Sequence, residues 1–128
     1  MSDINKLQRW LKEFDFVIKF HRNAEDCIDF KDKTIMIKST QTEASQISAI
    51  LHECGHLIFR AKQDFNKIYP TINKTNRKKS LRSTIETLTD ETISWYMAET
   101  LRHELKLKVP IDKFRRQRDL SLKTYINQ

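Results

Sequence analysis

The chain has 128 residues, of which 38% are hydrophobic and 32% charged, and its net charge is +7 at neutral pH. This length allows one domain with a real core but not two, so we predict a single domain over residues 1–128. No run approaches the roughly 18 apolar residues of a membrane span, and the N-terminus lacks a signal peptide's apolar segment. Two cysteines, Cys27 and Cys54, make no disulfide framework, so we expect a cytoplasmic protein without membrane partners.

The residue pattern of the N-terminal third predicts a helix followed by a small sheet. Apolar residues recur at helical spacing over residues 3–14, with Ser2 or Asp3 as the cap. A short strand follows at residues 16–20, and residues 27–30 and 34–37 flank a polar turn as in a hairpin. We therefore expect about three strands in a mostly antiparallel sheet. His21, directly after the first strand, is expected to be an ordinary surface or core histidine.

The rest of the chain is predicted to be mainly helical, which gives an α+β fold. The segment from Thr40 to Glu43 has the form of a capping box and predicts a buried helix running to about Lys62. Residues 63–83 lose the pattern and carry a basic run at 77–79, typical of a surface connection. A second long helix is predicted from Thr84 to Leu107, and a last helix from Ile111 to Tyr125.

The motif His52-Glu53-Cys54-Gly55-His56 lies inside the first long helix and has the form H-E-x-x-H. Histidines four residues apart lie on one helical face, so both imidazoles can reach one tetrahedral metal ion. Glu53 follows the first histidine, where it can act as general base on a zinc-activated water. Gly55, the only glycine, weakens the helix by roughly 1 kcal/mol relative to alanine, which suggests that backbone or substrate approaches closely there.

A catalytic zinc site needs a third protein ligand, and the second long helix offers three candidates. Glu91 shares a helical stripe with Leu88, Trp95 and Ala98. Glu86 and Asp90 share another stripe, which is also apolar, so periodicity alone does not choose between them.

These residues resemble the ImmA/IrrE family of small HExxH metallopeptidases, which are common in phages and mobile elements. The family's second helix carries a Glu followed four residues later by an aromatic residue, which matches Glu91 and Trp95. The resemblance spans roughly residues 35–125 and implies a zinc site of His52, His56 and Glu91. Thr92 replaces the small residue usual after the ligand Glu, and the connection between the helices is longer than the family pattern. The gluzincin form, with Glu86 as ligand and Asp90 supporting the first histidine, His52, stays open.

The resulting expectation is a zinc-dependent peptidase that acts on a protein or peptide, with Glu53 as general base. Tyr96 and His103 are candidates for polarising the tetrahedral oxyanion. The exposed side of the strand at 34–37 could hold an extended peptide. The alternative is a basic DNA-associated regulator with a structural or inactive metal site, because basic residues recur at 77–79 and 115–118. Any nucleic-acid binding is expected to be weak and non-specific, and the sequence does not indicate an oligomeric state.

Overall fold

The computed structural model describes residues 1–62 and 81–126. The described part has an α+β layout, as predicted, with four helices and a three-stranded sheet. The elements in chain order are α1 (Asp3–Lys12), β1 (Val17–His21), β2 (Cys27–Asp29), β3 (Thr34–Lys38), α2 (Glu43–Lys62), α3 (Leu81–Glu104) and α4 (Ile111–Ile126). The predicted connection at 63–83 lies outside the described residues up to position 80, and its last residues belong to α3.

Side-chain caps begin the first two helices. The Ser2 hydroxyl accepts a hydrogen bond from the backbone N–H of Asn5, as a serine N-cap does. At α2 the cap is Thr42, whose hydroxyl accepts from the N–H of Ser45. The predicted capping box began two residues too early, at Thr40. Thr40 and Thr42 both carry a hydroxyl group, and the sequence pattern did not show which of them would be the N-cap of α2.

The sheet has the order β1-β3-β2, with β3 in the centre. The predicted hairpin forms, because β2 pairs with β3 antiparallel. However, β1 pairs with β3 in parallel, so the sheet is mixed, where a mostly antiparallel sheet was expected. The physical reason is burial: Ile35 and Ile37 of β3 are fully buried, and the most buried strand takes the centre with a partner on each side. The outer edges of the described sheet therefore belong to β1 and β2.

Helices α2 and α3 pack tightly along their lengths, and this pair carries the functional motif. Gly55 of α2 meets the backbone of α3: a Cβ added to Gly55 would lie 1.9 Å from the carbonyl oxygen of Ser94. The close approach expected at this glycine is therefore made by backbone. The core around the helix pair is completed by α1, β3 and α4, with fully buried residues that include Leu7, Leu11, Ile50, Leu51 and Phe114.

Helix α3 ends three residues earlier than predicted, because Lys106 adopts a positive φ of 55°. The connection that follows is fixed by buried polar contacts. Both carboxylate oxygens of Asp3 accept backbone hydrogen bonds, from the N–H groups of Lys108 and Val109. The Arg102 guanidinium donates to the carbonyl of Val109. These contacts set the direction in which α4 leaves and returns along the body.

Among the described helices, none has a segment long and apolar enough to cross a membrane.

Candidate metal centre

The two histidines of the motif face the same point. His52 and His56 lie one helical turn apart on α2, and their Nε2 atoms are 3.1 Å from each other. Most of each side chain is buried, with 14% of His52 and 18% of His56 exposed. The packed helix holds both rings, because Leu51 and Cys54 beside them are fully buried in the core.

Glu91 of α3 completes a group of three residues that could each offer a ligand atom. One carboxylate oxygen lies 3.0 Å from Nε2 of His52, and the other lies 2.9 Å from Nε2 of His56. In tetrahedral zinc sites with bonds of about 2.0–2.1 Å, ligand atoms lie about 3.3 Å apart. The observed separations are within a few tenths of an ångström of that value. Two histidines and one Glu could therefore hold a metal ion, and their separations are compatible with tetrahedral zinc.

The other two carboxylates considered for the third ligand take different places. Asp90 lies beside the site, with its carboxylate 3.9 Å from Nδ1 of His56 and not from Nε2. Glu86 is not part of the ligand group. Among the described residues, His52, His56 and Glu91 form the one group that could hold a metal ion. His21 is exposed on β1, and its Nδ1 accepts a hydrogen bond from the N–H of Asn23, as an ordinary histidine would.

The protonation of Glu91 and His56 reflects their contact. Burial alone would raise the pKa of Glu91, but the hydrogen bonds with His52 and His56 outweigh it and hold the pKa far below its usual range. Burial alone would lower the pKa of His56, but the Glu91 carboxylate raises it above the ordinary value. The contacts with the two histidines therefore favour the ionised carboxylate of Glu91, which is the form that binds metal.

Each histidine also has a second partner on α3 besides Glu91. The hydroxyl of Ser94 lies 3.0 Å from Nδ1 of His56, and Ser94 is fully buried. The ring of Trp95 stacks on that of His52, with centroids 4.2 Å apart and an angle of 6° between the planes. Sequence reasoning placed Trp95 beside Glu91 but missed Ser94. The spacing Glu91-x-x-Ser94, one helical turn, was the available signal.

Glu53 lies at the edge of the site and is 5% exposed. Its carboxylate is 3.6 Å from Nδ1 of its neighbour His52. Burial raises the pKa of Glu53, and the two nearby histidines only partly oppose that rise. A buried carboxylate with a raised pKa is a stronger base than an exposed one, which suits the role expected from the motif.

A tyrosine from the last helix reaches the site. The phenol of Tyr125 on α4 lies near the Glu91 carboxylate, and the carboxylates of Glu53 and Asp90 are close enough to affect its pKa. Burial and these carboxylates raise the pKa of Tyr125 to about 12, so the phenol is neutral and can donate. The residues considered from the sequence, Tyr96 and His103, are both exposed on α3, and Tyr96 is 69% exposed. The structure brings neither of them to the site.

Two surfaces expected to bind larger partners differ from the expectation. Strand β3 pairs on both sides over residues 34–36, so the peptide-binding edge predicted there was wrong. On α4, Arg115 and Arg118 make ion pairs with Glu99, which reduces the positive charge of the 115–118 segment. The basic run at 77–79 lies outside the described residues.

Comparison with known proteins does not assign the chain to a family. The chain has no significant match among protein-family models, among curated proteins or among solved structures.

Proposed function

We propose that the protein is a zinc-dependent metallopeptidase, with His52, His56 and Glu91 as the metal ligands. The observation that carries the proposal is the convergence of three side chains from α2 and α3. The two Nε2 atoms are 3.1 Å apart, and each lies 2.9–3.0 Å from one of the two carboxylate oxygens of Glu91. Two imidazole nitrogens and one carboxylate are a ligand set found in catalytic zinc sites of peptidases.

The residues around this group support catalysis rather than a structural metal. Structural zinc sites are closed by four protein ligands, most often including cysteine thiolates. Here the described part of the chain supplies three ligands, and Cys54, the cysteine within the motif, is fully buried in the core. A buried carboxylate and a neutral phenol lie beside the three proposed ligands, and these are the kinds of group that take part in acid–base catalysis.

When bound, zinc would supply a positive charge that polarises the carbonyl of a peptide bond and lowers the pKa of the attacking water. Glu53 takes the proton from that water and transfers it to the nitrogen of the leaving amine as the C–N bond breaks. Tyr125 remains neutral and donates a hydrogen bond to the oxyanion of the tetrahedral intermediate. Removing one such donor typically slows a reaction by about 100- to 1,000-fold.

The wider assignment belongs to the same proposal. We infer membership of the ImmA/IrrE-like group, with a phage or mobile element as source, from the H-E-x-x-H motif and the Glu91–Trp95 spacing. A protein or peptide in the cytoplasm would be the substrate. The exposed free thiol of Cys27 supports a reducing compartment, because exposed thiols oxidise outside one.

The test uses a diverse peptide library, because the substrate sequence is unidentified. We expect the zinc-loaded protein to generate new peptide termini, detected by mass spectrometry, and Glu53→Gln to bind zinc equally while generating none. Metal-free wild-type protein purified without a chelator would contradict the metal site. Equal cleavage by wild-type and Glu53→Gln protein would contradict the assignment of Glu53.

The alternative function, a DNA-associated regulator with an inactive metal site, rests on the net charge of +7. It predicts retention on DNA that falls steeply with salt and metal binding without Glu53-dependent cleavage. The pairing of Arg115 and Arg118 with Glu99 leaves less free charge for phosphate on α4 than the sequence suggested.

A further inference from the structure

Ser94 occupies an unusual place for a serine. It lies in the middle of α3, where its side chain is fully buried, and its hydroxyl is 3.0 Å from Nδ1 of His56. A buried hydroxyl costs free energy unless it forms a hydrogen bond, so this contact explains why a polar residue is tolerated here. Neither the sequence motif nor the proposed hydrolysis requires it.

We propose that Ser94 is the positioning residue for His56, holding the ring so that Nε2 faces the metal. The inference rests on the proposed metal site but not on hydrolysis. A neutral imidazole that binds metal through Nε2 carries its proton on Nδ1, and that N–H needs an acceptor. The Ser94 hydroxyl oxygen accepts from it. The bond fixes both the tautomer and the rotation of the ring.

Asp90 is the competing partner, because it lies one turn before Ser94 on the same helix. Its carboxylate is 3.9 Å from Nδ1 of His56, beyond hydrogen-bonding distance, whereas the Ser94 hydroxyl is at 3.0 Å. The gluzincin form considered from the sequence had Asp90 support the first histidine, His52, whereas in the structure the nearest histidine contact of Asp90 is with His56. The geometry gives the support of His56 to the serine, with Asp90 contributing only its charge.

The position of Ser94 is itself fixed by α2. Its backbone carbonyl lies against Gly55, next to His56 in the chain, at a distance that leaves no space for a Cβ. The backbone that carries the Ser94 side chain is therefore fixed by close packing, which limits the positions that its hydroxyl can take. Such rigid support is what a metal ligand requires for its orientation.

The experiment compares zinc affinity, measured by competition with a chromophoric chelator, in Ser94→Ala, Asp90→Asn and Ser48→Ala proteins. Ser48 is the matched control, because it is also a buried helical serine but its hydroxyl has no partner in the described residues. We expect Ser94→Ala to weaken zinc binding about 10- to 100-fold and Ser48→Ala to leave it unchanged. Circular dichroism verifies that each variant is folded.

A second measurement separates positioning from general stability. In the zinc-loaded wild-type protein, the Nδ1–H proton of His56 should give a protected downfield signal in the NMR spectrum. That signal should disappear or exchange rapidly in Ser94→Ala and persist in Asp90→Asn and Ser48→Ala. Unchanged affinity and an unchanged signal in Ser94→Ala would overturn the inference, as would loss of the signal in Asp90→Asn alone. Absence of zinc binding by wild-type protein would overturn the proposed function as well.

Discussion

The carbonyl oxygen of Ser94 lies where a side chain on Gly55 would be. A Cβ built on Gly55 falls 1.9 Å from that oxygen and 3.3 Å from the backbone nitrogen of Ala98. Both neighbours are backbone atoms of α3, which cannot rotate away as a side chain could. The single glycine of the chain thus lets α2 and α3 approach closely enough for His52 and His56 of one helix to meet Glu91 of the other.

Gly55→Ala should therefore destabilise the protein and weaken its metal site. Alanine has the higher helix propensity, by roughly 1 kcal/mol, and would raise stability if the position were open. Overpacking against fixed backbone instead lowers the free energy of unfolding by about 1–3 kcal/mol. Urea denaturation measures this change, and zinc affinity should fall in parallel.

The control for this prediction is Ser45→Ala, a change to alanine near the start of the same helix, where Ser45 is only partly buried. It should leave zinc affinity unchanged. Higher stability of Gly55→Ala with wild-type zinc affinity would contradict the prediction, because it would show that α2 and α3 can move apart without weakening zinc binding.

The stacking of Trp95 on His52 should make tryptophan fluorescence a reporter of metal binding. The chain has two tryptophans, Trp10 and Trp95, and in the structure Trp95 is the one that contacts a proposed ligand. Zinc would place a positive charge at the His52 ring, 4.2 Å from the indole, so emission should change and saturate at about one zinc per chain.

Replacing each tryptophan identifies the source of that signal. Trp10→Phe should keep the zinc-dependent change, because Trp10 packs on α1 against Phe14. Trp95→Phe should abolish it while retaining an aromatic ring beside His52. A zinc-dependent change that survives in Trp95→Phe would mean that metal binds elsewhere or moves α1.

Local patterns in the sequence predicted the secondary-structure elements and those residues of the candidate site that lie on α2. Helical periodicity and β-branched segments gave the α+β layout within a few residues, because these signals depend on near neighbours. The motif placed His52, Glu53 and His56 together for the same reason, since one helical turn fixes their spacing. Helix ends were less accurate, because α3 stops where Lys106 takes a positive φ, which no residue pattern marked.

Contacts between distant segments could not be derived in this way. The stripes of Glu91 and Glu86 are both apolar, so only the packing of α3 on α2 shows which one faces the histidines. Tyr125 is 34 positions beyond Glu91 in the chain and meets it only because α4 returns along the body. The parallel pairing of β1 with β3 is non-local in the same sense, because β2 lies between them in the chain.

Tyr125→Phe should slow hydrolysis without loss of metal. The substitution removes only the hydroxyl that lies near Glu91 and Glu53, so zinc affinity should stay within about threefold of wild type. The cleavage rate of a peptide identified from the library should fall about 100-fold, with kcat affected more than KM, because the donor acts on the oxyanion.

Tyr96→Phe is the matched control, since Tyr96 is 69% exposed on α3 and should tolerate the change without effect. A large fall in zinc affinity for Tyr125→Phe, with kcat unchanged in the zinc-saturated enzyme, would show that the phenol orients Glu91 and does not stabilise the oxyanion.

The ligand role of Glu91 is tested by comparing Glu91→Ala with Glu86→Ala. Glu91 is 8% exposed and contacts Nε2 of both histidines, so its removal takes away one of the three proposed ligands and the only carboxylate among them. Zinc affinity should fall sharply, by at least 100-fold. Glu86→Ala should keep most of the affinity, because Glu86 does not belong to the ligand group.

Equilibrium competition with a chelator ranks the two variants, and thermal denaturation without metal checks that each is folded. The metal-free Glu91→Ala protein should lose stability as well, because the contacts between Glu91 and the two buried imidazoles are removed. The reverse ranking of zinc affinities would place the third ligand at Glu86, with Asp90 as support for a histidine. In that case α3 would have to rotate and slide by about one turn relative to α2, and the Gly55–Ser94 contact could not persist.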